Sequence, residues 1–270
     1  MATVLARAHQ RAVLHVKNVT KARVETIFRE LPDYRDPELF ASRVAPVVEA
    51  GQSAAVSLMD SYLARAIKGQ VVGLDKSKLT GAAVRNGADP LEVYQRPLTG
   101  LYYDLSQGKL FPEALDKALG RALTTAETDV QLASRASAIA YGLATSGGIS
   151  AWERVPDEAA CDFCLLAATQ RYWLEDLQPL HDRCNCTVEP LTGSKANDGQ
   201  VVNPQYFDQL GADGVNVSRG DGTTYVWSMK EGSRADAAVA IRDHGELGPV
   251  LTDPRDNFRG PSDVAADEDA

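Results

Sequence analysis

The sequence predicts a mainly α protein with a small α+β module around its cysteines and a short C-terminal hairpin plus helix. Three observations lead to this prediction. Residues 111–145 form a stretch rich in Ala and Leu, in which only Gly120 interrupts a helical pattern. All four cysteines lie within residues 161–186, in a turn-rich region of different composition. A Gly-Asp-Gly segment at 220–222 separates two runs of alternating apolar and polar residues, which is typical of a hairpin.

The N-terminal region predicts two further helices. From Val4 to Phe28 apolar residues recur at steps of three and four, which is the spacing of one helix face. The proline-containing segment at 32–37 interrupts this pattern, and Asp36 can cap a second helix predicted over 37–67. Glycines and prolines then divide residues 69–111 into short pieces, where we predict only one or two short helices.

Composition and charge restrict the classes of protein. The chain has 270 residues, of which 44% are hydrophobic, so it can bury a substantial core. Its net charge of -9 argues against a protein that coats nucleic acid through bulk positive charge. The charge is uneven, since residues 1–30 carry six basic residues against two Glu and residues 231–270 carry four Arg against ten acids. No segment approaches the ~20 apolar residues of a membrane span, and the basic residues throughout the N-terminal segment do not fit a signal peptide. We therefore expect a reducing, cytoplasmic compartment and no membrane partner.

In that compartment, clustered cysteines indicate metal ligands in preference to disulfides. Two close thiolates can form one edge of a tetrahedron while a returning segment supplies the other edge, which predicts one zinc ion. Five candidates compete for four positions, with two, sixteen, two and one intervening residues: Cys161, Cys164, His181, Cys184 and Cys186.

The spacing leaves the ligand set open. Along an extended segment Cys184 and Cys186 point to the same face, so both can reach one ion while His181 orients a ligand. Alternatively, His181 binds and one of these two cysteines is spare. The cysteines could also be ordinary reduced thiols buried as small hydrophobic residues.

A site with four protein ligands is structural, because no position remains for water or substrate. It would stabilise a region with little apolar content of its own. A three-ligand catalytic site could use Glu158, Asp162 or Asp182 as a base, but no H-E-x-x-H spacing accompanies it.

These features divide the chain into four predicted regions. The third contains the hairpin and a last helix that begins at Ser233 or Asp236 and ends near Gly245. The fourth has the small and acidic residues of a disordered tail. The regions are a helical domain (1–148), a Cys/His metal-binding module (149–192), a mixed α/β C-terminal region (193–250) and an acidic tail (251–270).

The motifs "AWERV", "ACDFC" and "HDRCNCTVEP", after a long helical region, resemble the phage Mu F-like minor capsid, or head morphogenesis, proteins of tailed bacteriophages. The downstream "DHGELGPVL" resembles versions from phages of actinobacteria. Members usually show a proline near the histidine and an Arg between the final cysteines. Here Pro179 precedes His181, and Asn185 stands between Cys184 and Cys186.

The resemblance implies a minor structural protein of the virion, acting in prohead assembly or genome delivery near the portal. It implies the portal or major capsid protein as partner, and packaged DNA could meet the basic N-terminal helix. Matched to the family motif, the five candidate ligands would bind the metal, with Trp152 and Arg154 as framework around them. No catalytic residue is carried over.

The sequence also contains features that relate to two alternative functions. A capsid maturation protease would need a nucleophile and a base, but no G-x-S-x-G surrounds a serine, and His244 fits a helix C-terminus. A nucleic-acid-binding zinc module could stack bases on aromatic residues beside Arg171, although the segment lacks a basic surface. Those aromatic residues are Phe163, Tyr172 and Trp173.

Overall fold

The structure is a computed structural model that describes residues 3–145, 148–160, 162–174, 177, 184–192, 203, 205–206, 215–218 and 224–227. Within these residues the chain is mainly helical with a small three-stranded sheet, which confirms the predicted fold class. The last helix predicted at 233–245 and the tail at 251–270 lie outside the described residues.

Four long helices precede the cysteine region. The segment at 32–37 separates the first two as predicted, and the Asp36 carboxylate accepts a hydrogen bond from the Leu39 amide (2.8 Å). This contact satisfies one of the free amides at the start of the second helix. The helices are α1 (Val4–Arg29), α2 (Pro37–Ala66), α3 (Pro90–Ser106) and α4 (Phe111–Ala144).

Helix α3 is longer than the sequence pattern predicted. Pro90 occupies its first turn, where a missing amide hydrogen has no cost, and the Asp89 side chain accepts from the Leu91 amide (2.9 Å). Pro97 lies inside the helix and is buried. Tertiary packing therefore keeps a helix where proline and glycine content predicted breaks. Two short 3-10 helices, Lys76–Lys78 and Gly81–Arg85, precede it.

The chain divides into two compact units. The cysteine unit comprises Met1–Gln10, Tyr62–Gln70 and Tyr141–Ala270, and the bundle unit comprises Arg11–Ser61 and Val71–Ala140. Each long helix except α3 therefore contributes residues to both units.

Side chains from all four helices form the core of the bundle unit. Phe28 and Phe40 meet edge to face with ring centroids 5.5 Å apart, which is a favourable aromatic geometry. Tyr94, Leu98 and alanines of α4 pack in the same cluster. The Asp60 carboxylate accepts hydrogen bonds from the amides of residues 72, 73 and 74, which fixes the loop after α2.

The cysteine unit contains an antiparallel sheet of order β2-β1-β3. Central strand β1 (Ala151–Val155) pairs with β2 (Arg171–Trp173) and with β3 (Thr187–Leu191). The short helix α5 (Asp162–Ala168) lies between β1 and β2 in the sequence. Because β3 pairs with β1, the end of the cysteine region lies beside the strand that precedes this region.

The predicted C-terminal hairpin is present as two strands. Strand β4 (Val215–Ser218) pairs antiparallel with β5 (Thr224–Trp227), and Ser218 lies opposite Thr224. The Gly-Asp-Gly segment falls between these strands, at the predicted position of the turn, and lies outside the described residues.

Candidate metal centre

Three cysteines meet in the interior of the cysteine unit. One potential ligand atom from each of Cys164, Cys184 and Cys186 lies within 4.8 Å of the others, and all three residues are buried. The Sγ atoms of Cys164 and Cys184 are 3.8 Å apart. The three sulfurs can therefore hold one metal ion.

The local fold explains why residues twenty positions apart meet. Cys164 lies on α5, which follows β1, whereas Cys184 and Cys186 lie in the segment that directly precedes β3. Strand β3 pairs with β1 up to Thr187, opposite Val155, so this segment returns beside the end of β1. The ligand atoms of Cys184 and Cys186 therefore lie close to that of Cys164 on α5.

The cluster is not a disulfide. None of these three cysteines forms a disulfide. A bonded pair would need sulfurs about 2.05 Å apart, whereas the Cys164 and Cys184 sulfurs are 3.8 Å apart. Thiols are weak hydrogen-bonding groups, so three of them buried together gain little from one another without a metal.

Two of the five predicted ligands, Cys161 and His181, lie outside the described residues. Cys161 precedes α5 directly, and His181 lies three residues before Cys184. The set of four ligands predicted from the sequence therefore stays a prediction, of which the structure brings three candidates together.

Trp152 and Arg154, which the resemblance implies as framework around the metal, lie on the central strand β1. Both are almost fully buried on β1, and the Arg154 guanidinium lies 4.4 Å from the centroid of the Tyr172 ring. The Tyr172 hydroxyl donates to the Ala167 carbonyl (2.8 Å), which ties β2 to α5. A cation over an aromatic ring is stabilised by the ring quadrupole, so this contact offsets part of the burial of a charge.

Residues after β3 also hold α5 in place. Asn203 donates from Nδ2 to Glu153 Oε2 (3.0 Å) and to the Ala168 carbonyl (3.3 Å). Tyr206 packs against Leu165 and Ala168. Burial raises the pKa of the Tyr206 hydroxyl, so it stays protonated at neutral pH. Asn203 thus links the end of α5 to β1.

The start of α1 packs on the same module. His9 stacks on Tyr62 with ring centroids 4.4 Å apart and an angle of 11° between the planes. The Tyr62 hydroxyl donates to the Val188 carbonyl of β3 (2.9 Å). Burial raises the pKa of Tyr62, and the charges of Glu189 and Glu153 raise it further, so the hydroxyl remains a donor.

Gln10 contacts the backbone between two of the candidate ligands. Its Nε2 donates to the Asn185 carbonyl (3.0 Å) and to the Val155 carbonyl (3.1 Å). Its Oε1 accepts from Arg7 Nη1 (3.0 Å), which also donates to the Pro156 carbonyl. Gln10 is not among the residues predicted from the sequence.

A signal for Gln10 exists in the sequence. His9 and Gln10 are polar, yet they stand at three- and four-residue steps from the buried residues Ala6 and Val13. A polar side chain on the apolar face of a helix usually has a specific partner, because its burial without a hydrogen bond is costly. The helical spacing therefore indicates that both residues have specific partners, but it does not identify those partners.

The residues of the rival functions have other contacts. His9 packs on Tyr62, His15 is exposed on α1, and His244 lies outside the described residues. Tyr172 is buried in the module, whereas Trp173 is 40% exposed with the Arg171 guanidinium 4.3 Å from its ring centroid.

Several basic residues of α1, the helix predicted to meet DNA, form ion pairs within the protein. Lys17 and Lys21 both pair with Glu127, at 3.3 and 3.0 Å, and Arg29 pairs with Glu25 at 2.7 Å. Charges neutralised in this way contribute less to a basic surface. In the part of the chain that the structure describes, no helix is long and apolar enough to cross a membrane.

Comparison with known proteins gives one match. A family model described as VG15 protein matches residues 81–210, from the second 3-10 helix through α4 and the cysteine cluster. This is a family of viral proteins, and the match supports a phage-related protein without specifying its role. No curated protein and no solved structure matches the chain.

Proposed function

We propose that this chain is a minor structural protein of a tailed-phage head, with one structural zinc ion in its cysteine unit. It acts in prohead assembly or genome delivery near the portal. The viral family match supports the phage context and covers the cysteine cluster. The resemblance of the motifs around Trp152 and Cys186 supports the place in the head.

The observation that supports zinc is the separation of the sulfurs. Zinc–thiolate bonds of about 2.3 Å in a tetrahedron place two sulfur atoms about 3.8 Å apart. The Cys164 and Cys184 sulfurs are 3.8 Å apart, and the Cys186 ligand atom lies within 4.8 Å of both. The donor set of buried thiols is also the one that zinc favours over magnesium or calcium.

A fourth ligand from Cys161 or His181 would close the site. A closed tetrahedral site has no position for water, so the ion would stabilise the fold and not catalyse a reaction. It would join α5 to the segment before β3 through the sulfurs of Cys164 and Cys184. This role fits a structural protein better than a protease.

The bundle unit offers a surface for a protein partner. Tyr103, Leu110 and Phe111 are 66%, 74% and 47% exposed around the turn between α3 and α4. Tyr34 extends this surface, with its ring centroid 6.3 Å from that of Phe111. Exposed aromatic clusters of this kind mark protein interaction sites, and we propose the portal or major capsid protein as the partner.

Packaged DNA is a less favoured partner than the portal or major capsid protein. It would have to use exposed residues of α1 such as Arg11 and Arg23, because Lys17 and Lys21 already pair with Glu127.

The test is genetic and uses the phage or prophage that encodes the chain. An amber codon in this gene should lower the yield of infectious particles, and the wild-type chain should be detected by mass spectrometry in purified heads. A plasmid copy with Ser57→Ala, at an exposed position on α2 outside the proposed partner surface, should restore the yield, whereas Cys164→Ser should not. Normal yield from the amber phage, together with heads that lack the chain, would reject the proposal.

A further inference from the structure

We infer that Gln10 is a positioning residue of the metal site, which orients the peptide between Cys184 and Cys186 so that both sulfurs reach one ion. The inference rests on the metal site of the proposed function. Gln10 lies on α1 and is not itself one of the candidate metal ligands.

The hydrogen bonds of Gln10 leave its amide one orientation. Both Nε2 hydrogens are used, toward the Asn185 and Val155 carbonyls, and neither carbonyl can donate. Oε1 faces Arg7 Nη1, which only donates. Rotating the amide by half a turn would oppose oxygen to oxygen at both carbonyls, so the assignment of nitrogen and oxygen is unambiguous.

The position of the Asn185 carbonyl makes this contact relevant to the metal. Asn185 is the single residue between Cys184 and Cys186, so its peptide unit sets the angle between their side chains. The β1–β3 ladder ends at Val155 and Thr187, and Pro156, which follows β1, has no amide hydrogen to extend it. Gln10 supplies a donor to the Asn185 carbonyl beyond the end of this ladder.

Gln10 itself is well fixed. It is 7% exposed, and it lies on α1 between His9, which stacks on Tyr62, and the buried Val13. A rigid donor of this kind holds a peptide in one orientation before metal binding, so less conformational entropy is lost when the ion binds. Residues that orient metal ligands typically change metal affinity about 10- to 100-fold when they are replaced.

The test compares two buried glutamines of the full chain. Gln10→Met removes the donor at similar volume, and Gln52→Met is its control, because Gln52 is 2% exposed and also bonds a backbone group, the Gly81 amide (2.8 Å). Zinc affinity is measured by competition with a chromophoric chelator. The absorption of bound Co²⁺ reports the geometry of the thiolates in folded protein.

The expected result is that Gln10→Met weakens zinc binding about 10- to 100-fold and shifts the Co²⁺ absorption bands, while Gln52→Met changes neither. If Gln10→Met does not fold, Gln10→Glu keeps the volume and the Arg7 contact while removing both donors, and the same loss is expected.

Three outcomes would overturn the inference, and they differ in what else they reject. If the wild-type chain binds metal and Gln10→Met binds it equally well with an unchanged spectrum, only the role of Gln10 is wrong. An equal loss of affinity in both Met variants would also reject that role, because the effect would then follow general stability. If the wild-type chain binds neither Zn²⁺ nor Co²⁺, the metal site of the proposed function fails with it.

Discussion

At the scale of single residues, Glu127 shows how the bundle unit accommodates buried charge. Its carboxylate pairs with Lys17, which is 1% exposed, and with Lys21, one helical turn later on α1. Removing charges from water is costly, and close pairing offsets this cost only while both partners remain. Replacement of Glu127 should therefore cause a large loss of stability.

Glu127→Gln should lower the free energy of unfolding by about 3–5 kcal/mol, because it leaves Lys17 buried without its anion. Glu25→Gln is the matched control, since its partner Arg29 is 63% exposed, and such a surface pair contributes less than about 1 kcal/mol. Urea denaturation of the two variants measures both values. Equal losses would show that burial of the Lys17 pair does not matter.

Residue types alone predicted part of the candidate site. Cysteine spacing predicted a metal cluster, and Cys164, Cys184 and Cys186 do meet in the interior. Gln10 was not predicted, because its partners are backbone carbonyls about 145 and 175 positions away, and a carbonyl has no signature in the sequence. Long-range contacts of this kind depend on the strand order and register.

At the scale of elements, Gly51 allows α1 and α2 to approach closely. A Cβ atom at this position would clash with Thr20 Oγ1 and lie 3.1 Å from Val130 Cγ2 of α4. Gly120 of α4 is a contrasting case, because a Cβ atom there would meet nothing within 4 Å. Comparing substitutions at the two glycines therefore distinguishes the effect of packing from that of intrinsic helix propensity.

Gly51→Ala should destabilise the protein by about 1–3 kcal/mol, because overpacking exceeds the gain in helix propensity. Gly120→Ala should stabilise it by about 0.5–1 kcal/mol, since only the propensity changes. Thermal or urea denaturation would test the pair, and a stabilising Gly51→Ala would contradict the close approach of these helices.

The ion pairs of Asp104, near the turn between α3 and α4, should make the stability of the protein depend on pH. Asp104 accepts hydrogen bonds from Lys117 and Lys109, which hold the pKa of its carboxyl below the ordinary value of 3.8. A depressed folded-state pKa stabilises the protein above the unfolded-state value and ceases to do so as the pH falls through the folded-state value. The contribution should therefore be complete at neutral pH and disappear in acid, below the ordinary range.

Asp104→Asn should make the protein less stable at neutral pH and remove part of the loss of stability in acid. Urea denaturation between about pH 6 and pH 3 measures this slope. Asp116→Asn, at an exposed position on α4, is the control and should leave the slope unchanged. A slope in Asp104→Asn equal to that of the wild type would reject the assignment.

The elements themselves were largely predictable from sequence. Periodic apolar residues predicted α1, α2 and α4, and the Gly-Asp-Gly segment predicted the β4–β5 hairpin. Helix α3 was underestimated, because Pro90 and Pro97 were treated as breaks, while the structure buries Pro97 in the helix. Tertiary packing decided this element, and packing is not visible in a local window.

At the scale of the whole molecule, the chain combines a helical bundle unit with a cysteine unit. The sequence suggested that the cysteine region has little apolar material, yet Trp152, Val155 and Val188 are almost fully buried there. A metal ion would therefore add to an apolar core and would not replace it. Loss of metal should loosen the cysteine unit without abolishing every helix.

Hydrogen exchange can test that expectation. After chelation under reducing conditions, amide protection should fall in β1, α5 and β3 and at the start of α1, where Gln10 contacts the module. Protection in the core of the bundle unit, around Phe28 and Leu98, should remain largely unchanged. Uniform loss of protection, or no loss, would contradict a local role for the metal.

The central claim is that the clustered cysteines hold one structural zinc ion. Elemental analysis of the full chain, purified under reducing conditions, tests it most directly, with Cys164→Ser as the companion variant. We predict about one zinc per wild-type chain and a strongly reduced content in the variant. Wild-type protein that is folded and free of metal would contradict the claim and leave the three sulfurs as ordinary core residues.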